Sequence, residues 1–211
     1  KSAKIIFNEI KSINKKYKVN LFRCQDTNFL TIDRKVLKEL SNLISRSDLK
    51  IKLYIETRAE GINKKSIDLL KKLKVDGVGM GLELSSEKFR EKSLNRFVNA
   101  MKIFKAFKLL KKNKINTTAY NIIGLPNQTE SSIIDTLKLN IKLNPSVSSV
   151  AYYSAYKGTD LARNSENENN DPNQNETAKS PKNSNLNSNL NGMEHKNSTD
   201  RTDHWLLLLN V

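Results

Sequence analysis

Extended segments start near residues 18, 50, 77, 115 and 147, and a stretch with helical apolar spacing lies between each pair. That interval, about thirty residues, is the span of a βα unit. A chain that repeats it builds a parallel sheet lined with helices, either open and doubly wound or curled into a barrel. Ile6, Ile10, Ile13 and Tyr17 predict the first helix, with an extended Val19 to Cys24 after it. Val36, Leu37, Leu40, Leu43 and Ile44 predict the second helix, and Lys50 to Glu56 a strand. Ile67, Leu70 and Leu73 predict a third helix, Gly77 to Glu83 a strand, and Ile103, Phe107 and Leu110 a fourth helix after a charged stretch. Ile115 to Ile123 is the next strand. Asn127-Gln128-Thr129-Glu130 has the spacing of a capping box opening the helix of Ile133, Leu137 and Ile141, and Val147 to Tyr153 is the last strand. The order starts on a helix, so five strands and five helices are visible and a strand ahead of the first helix is missing.

The alternation stops at residue 163. From Asn164 to Thr202 the chain is Asn, Ser, Glu, Lys and Asp with few large apolar residues, too little to offset the entropy of ordering, so 164–211 is expected to be a disordered tail. The apolar His204 to Leu209 that closes it is too short to span a bilayer and is expected to be a ragged end. Over the whole chain the net charge is +15, divided as +18 in 1–163 and −3 in the tail. Such a body could attract nucleic acid. Only eight of the 37 basic residues are arginine, however, and the lysines fall on every helix, which favours a plain solvated surface. One cysteine, Cys24, rules out a disulfide framework or a multi-cysteine metal site built by this chain alone, and two histidines near the end rule against a histidine cage.

Strand parity points to a site. Ile51, Leu53 and Ile55 form one face of the second strand, leaving Tyr54, Glu56 and, just beyond, Arg58 on the other. In the third, Val78, Met80 and Leu82 oppose Gly77, Gly79, Gly81 and Glu83, so the inner face is expected to be hollow with a carboxylate at its upper end. Parity also groups Asn20, Phe22, Cys24 and Asp26, and groups Thr117, Ala119 and Asn121. Asp26, Glu56 with Arg58, Glu83 and Asn121 thus converge on the C-terminal rim, where ligands bind in parallel α/β folds. A carboxylate beside a guanidinium suits a zwitterion. The turn after Tyr120-Asn121-Ile122-Ile123, Gly124-Leu125-Pro126, is bare enough to lie against a flat ring.

Taken in order, FRCQDTNF at Phe22 to Phe29, IETRA at Ile55 to Ala59, GMGLEL at Gly79 to Leu84, Leu94-Asn95-Arg96, AYNIIGLPNQT at Ala119 to Thr129 and Lys157 to Leu161 resemble the radical S-adenosylmethionine (SAM) enzymes. The nearest likeness is to the subgroup whose members often carry a cobalamin-binding domain. The resemblance implies an α/β fold, a partial parallel (β/α) barrel over residues 1–163. It implies SAM bound to a [4Fe–4S] cluster held by CxxxCxxC, reductive cleavage to a 5′-deoxyadenosyl radical, an electron donor such as flavodoxin or ferredoxin, and a cytoplasmic location without a membrane. It further implies that Glu83 contacts SAM, that Asn121, Ile122 and Gly124 lie along its ribose and adenine, and that Arg58 and Arg96 meet its carboxylate. Gln25, Asp26 and Asn28 would face SAM or substrate. The chain has no CxxxCxxC, and Tyr153 to Thr159 departs from the family's Pro-x-Pro-Gly-Thr region. The missing strand and cluster loop would precede Lys1, making the chain a fragment of an enzyme or an inactive descendant. The alternative is a non-catalytic basic α/β module that binds a nucleotide or RNA.

Overall fold

The computed structural model describes residues 1–154 and the backbone of 206–208. Five parallel strands, each fed by a helix, form a half-barrel: α1 (Ala3–Tyr17), β1 (Leu21–Cys24), α2 (Arg34–Ser45), β2 (Lys52–Glu56), α3 (Lys64–Lys72), β3 (Val75–Glu83), α4 (Glu87–Leu94), α5 (Ala100–Lys112), β4 (Asn116–Ile123), α6 (Glu130–Leu143) and β5 (Val147–Tyr152). Single 3-10 turns follow β1, at Phe29–Thr31, and β2, at Ala59–Gly61. The expected alternation is present, with one more helix than the periodicity shows. The charged stretch after β3 is α4, and its apolar spacing is too sparse to announce it. The C-terminal segment contributes a further strand, β6 (Leu206–Leu208), parallel to β1, so the closing leucines are not the expected ragged end. The other tail residues, with Lys157 to Leu161, lie outside the described residues. The sheet runs β5-β4-β3-β2-β1-β6.

Helix ends follow local chemistry. Ser2 caps α1 through the Ile5 amide, Asp33 caps α2 through Lys35, and Asn63 with Ser66 makes a reciprocal box on α3. The cap of α6 differs from the Asn127–Glu130 box that its spacing predicts. Thr129 caps it through the Ser132 amide, while Asn127 sits in the left-handed region at φ 60° and serves the turn. The Gln128 carboxamide oxygen accepts the Gly124 amide at 2.6 Å and the Leu125 amide at 3.3 Å, closing that turn before the helix starts.

The core lies between sheet and helices. Leu53, Ile55, Leu70, Leu73, Val78 and Leu82 are each at most 1% exposed. Complete burial of a side chain of this kind stabilises by roughly 1.5–3 kcal/mol. α4 is held differently. Its fully buried Arg90 donates to the carbonyls of Leu84, Ser85 (3.1 Å) and Val98 (2.9 Å), pulling the β3–α5 connection onto itself. Among the described residues no helix is long and apolar enough to cross a membrane.

Candidate functional site

The parity assigned to β2 and β3 is the observed one, and that assigned to β1 and β4 is reversed. Phe22 and Cys24 belong to the core behind the sheet, and Arg23 points into the lumen. Burial pushes the Cys24 thiol up to about 12, with the Asp26 charge adding to it. On β4 the buried Asn121 turns its side chain to the helix layer. There its amide exchanges hydrogen bonds with Asn140 of α6 and donates to the Ser149 carbonyl at 3.0 Å. The lumen receives Tyr120 instead. The expected contribution of the Asn121 side chain to the rim is therefore corrected: a buried amide between strand and helix is stable only when its partners are met, and they lie behind the sheet.

The glycine row is not hollow along its length. A Cβ on Gly77 would stand 2.7 Å from the Tyr54 ring, and one on Gly79 would stand 2.6 Å from the Tyr54 hydroxyl and 2.7 Å from the Tyr120 ring. These glycines seat two tyrosines. Their hydroxyls meet at 2.9 Å, and Tyr120 donates to Glu56 at 3.1 Å. Arg23 pairs with Glu56 and lies over the Tyr54 ring, 5.3 Å from its centroid. Burial, then the hydrogen bond to Tyr54, raises the Tyr120 phenol well above its ordinary value. Glu56 in turn holds Arg23 charged. Arg23 and Tyr120 are lumen residues that the sequence reading missed. The glycines opposite were the signal, since a bare strand position is also where a neighbour's large ring can rest.

The open volume begins one step higher. Arg58, Glu60, Glu83, Leu94, Asn95, Arg96, Phe97 and Ile122 line a cavity of about 360 Å³ at the C-terminal ends of β2, β3 and β4. Glu83 closes β3 with φ at 63°, a left-handed backbone that costs a residue with a Cβ roughly 1–2 kcal/mol. Its carboxylate meets Arg96 Nη1 at 2.5 Å, while Arg96 Nη2 donates to the Gly81 carbonyl at 3.0 Å. A Cβ on Gly81 would fall 2.1 Å from Glu83 Oε1, so this pair lies directly on the strand. Burial raises the Glu83 carboxyl above the usual carboxylate range despite the Arg96 charge. Arg96 Nε is buried without a hydrogen-bond partner among the described residues, as is Asp26 Oδ2. A strained backbone, a partly desolvated ion pair and an unmet donor at one cavity are the marks of a site arranged for a ligand.

The remaining candidates divide. Arg58 is exposed and lines the cavity, and Asn28 Oδ1 accepts both the Arg58 amide at 3.2 Å and the Thr57 hydroxyl at 2.8 Å. Asn28 thus ties the turn after β1 to the end of β2. Gln25 is exposed on that turn and Asp26 half-buried. Ile122 faces the cavity, and Gly124, at φ 79°, opens the turn just past the end of β4.

Residues 1–139 match the radical SAM superfamily. The chain belongs to that superfamily. Among curated proteins it is 28% identical, over 163 residues, to the anaerobic magnesium-protoporphyrin IX monomethyl ester cyclase of Rubrivivax gelatinosus. The match covers 76% of this chain and 29% of that protein. Among solved structures the fold resembles the radical SAM methyltransferase TsrM of Kitasatospora setae, with cobalamin and a [4Fe–4S] cluster bound (TM-score 0.64, 15% identity, 72% of this chain and 29% of that one). It also resembles the cobalamin-dependent SAM radical enzyme OxsB, with aqua-cobalamin and SAM bound (TM-score 0.57, 13% identity, 80% and 26%). The chain therefore spans under a third of the length of each of these three proteins. Its own residues do not fit a cluster. Its one cysteine is buried in the core with a thiol that resists ionisation, and among the described residues no three His, Cys, Asp or Glu side chains gather as metal ligands.

Proposed function

We propose that this radical SAM chain binds S-adenosylmethionine in the cavity at the ends of β2, β3 and β4 and forms the SAM-positioning part of a radical SAM core. In this reading Glu83 accepts the methionyl ammonium and Arg58 and Arg96 take the carboxylate. Ile122 and the backbone through Gly124 lie along the nucleoside, and Leu94 and Phe97 cover its apolar parts. Bound SAM supplies, on reductive cleavage, a 5′-deoxyadenosyl radical. A cluster would need thiolates that this chain's one cysteine does not supply, so the contribution of its residues is to bind and orient. The turn of Gln25, Asp26 and Asn28 stands on the substrate side, and the half-barrel is part of a longer enzyme whose reductant is a flavodoxin- or ferredoxin-like protein. Cobalamin enters through the likeness to TsrM and OxsB and is assigned no residue here. The observation that carries the reading is the partly buried Glu83–Arg96 pair, held on a left-handed residue at a cavity lined by both signs of charge.

Titration of the 15N-labelled chain with SAM should give saturable shifts of the Ile122 and Gly124 amides with a Kd of about 1 mM or tighter, a modest affinity because no cluster chelates the ligand. Shifts confined to other parts of the sheet, or none at that concentration, would remove the assignment.

A further inference from the structure

The opposite end of the sheet carries a second surface. Each helix that feeds β1, β3 and β4 stops in lysines: Lys15 and Lys16 in α1, Lys71 and Lys72 in α3, Lys111 and Lys112 in α5. Lysine in a last turn complements the helix dipole and alone implies no partner. The next residues do more. Lys18, Lys74 and Lys114 each lie just past a helix end in the left-handed region, at φ 58°, 57° and 58°. Glycine is the low-cost residue there. The chain accepts a backbone penalty three times and places a cation each time, a choice that stability alone does not explain.

These residues form a row. Lys18, Lys50, Lys74 and Lys114 precede β1, β2, β3 and β4, which are neighbours in that order. At the ordinary strand spacing the row is about 15 Å long. Lys74 Nζ is tied to the Leu49 carbonyl at 2.5 Å, and the other three lysines are exposed. Lys18 and Lys50 also line, with Lys11, Lys15, Asn14 and Asn20, a cavity of about 450 Å³ that no acidic residue enters. Tyr17, next to Lys18 in the chain, is 60% exposed, with Lys16 Nζ 5.0 Å from its ring centroid. Flexible ammonium groups along an open groove suit an extended polyanion better than a small anion in a cage, and an exposed ring among them suits a base.

We propose that this face binds single-stranded nucleic acid, its phosphates on Lys18, Lys50 and Lys114 and a base on Tyr17. A subset of the lysines that the sequence scatters over every helix meets here because helix ends and strand starts lie at one end of the fold. The surface is independent of the SAM cavity.

The test is fluorescence anisotropy of the full chain with a labelled oligouridylate of about 20 nucleotides. Binding is expected in the micromolar range at low salt. Lys18→Gly, Lys50→Ala and Lys114→Gly together should weaken it about tenfold or more and lower the slope of log K against log salt by about 2. The same variant should melt no lower than the parent, because the two glycines relieve left-handed lysines. Tyr17→Ala should cost about fivefold and leave the slope unchanged. An equal loss from Lys4→Ala, Lys38→Ala and Lys105→Ala on the outer helix faces would mean a diffuse field and overturn the proposal. Binding to anionic phosphatidylserine vesicles with none to the oligonucleotide would overturn it as well.

Discussion

Replacing Glu83 by glutamine should weaken SAM binding by roughly tenfold to a hundredfold while leaving the melting temperature at neutral pH unchanged or higher. A hydrogen bond to a charged group contributes about 1.5–3 kcal/mol, which sets the size of the loss. Stability moves the other way because burial raises the Glu83 carboxyl above its ordinary value despite Arg96. The folded chain therefore takes up this proton more readily than the unfolded one. The group's contribution to stability is largest below its unfolded value and falls away as pH rises through the raised folded one. Glutamine mimics the protonated acid, so the variant keeps that contribution at neutral pH, and its advantage over wild type should vanish below the unfolded carboxyl value. Glu83→Gly adds relief of the left-handed backbone, at φ 63°, and should also melt no lower. Calorimetric titration with SAM beside thermal melts at two pH values separates these outcomes. Wild-type affinity in both variants would take Glu83 out of the site.

Arg90→Met should destabilise the chain by about 3–5 kcal/mol, read as a lower urea midpoint at unchanged slope. Arg90 is fully buried, and three carbonyls, of Leu84, Ser85 and Val98, depend on it. Methionine fills the volume and leaves those oxygens without donors. Lysine restores the charge but not the planar fork, so Arg90→Lys should fall between the two. Burial already lowers the Arg90 guanidinium from its ordinary value, which fits a group held for its geometry at some cost. Arg96 hangs on the same segment, its amide bonded to the Arg90 carbonyl at 3.3 Å. SAM binding should therefore be lost with the fold of this segment in the methionine variant. A midpoint within experimental error of wild type would show that water replaces the guanidinium.

The alternation of strands and helices was legible because each element carries one periodicity over its length. β2 and β3 also showed their faces, since Leu53 with Ile55 and Val78 with Met80 and Leu82 alternate against polar residues or glycine. β1 and β4 did not. β1 ends at Cys24, so extending its parity to Asp26 crosses the end of the strand and says nothing about facing. In β4 both faces carry small polar residues, and what decides is the pairing of Asn121 with Asn140 and Ser148, which come from α6 and β5. Partners that distant leave no local trace. Glu83, Arg58 and Arg96, which the fold brings to one cavity, stood out in the sequence because charges at a strand end or in a loop beyond it are conspicuous. Arg23 and Tyr120 were not, because within a strand a large amphipathic side chain reads equally well as cover for the core.

The two loops at the rim share one oxygen. Asn28 Oδ1, on the turn that follows β1, receives both the hydroxyl of Thr57 and the main-chain amide of Arg58. The turn of Gln25 and Asp26 is thus tied to the backbone of Arg58 on the far bank. On the proposed reading, a single carboxamide would join the bank that meets what is transformed to the bank that holds what does the transforming, a short mechanical linkage.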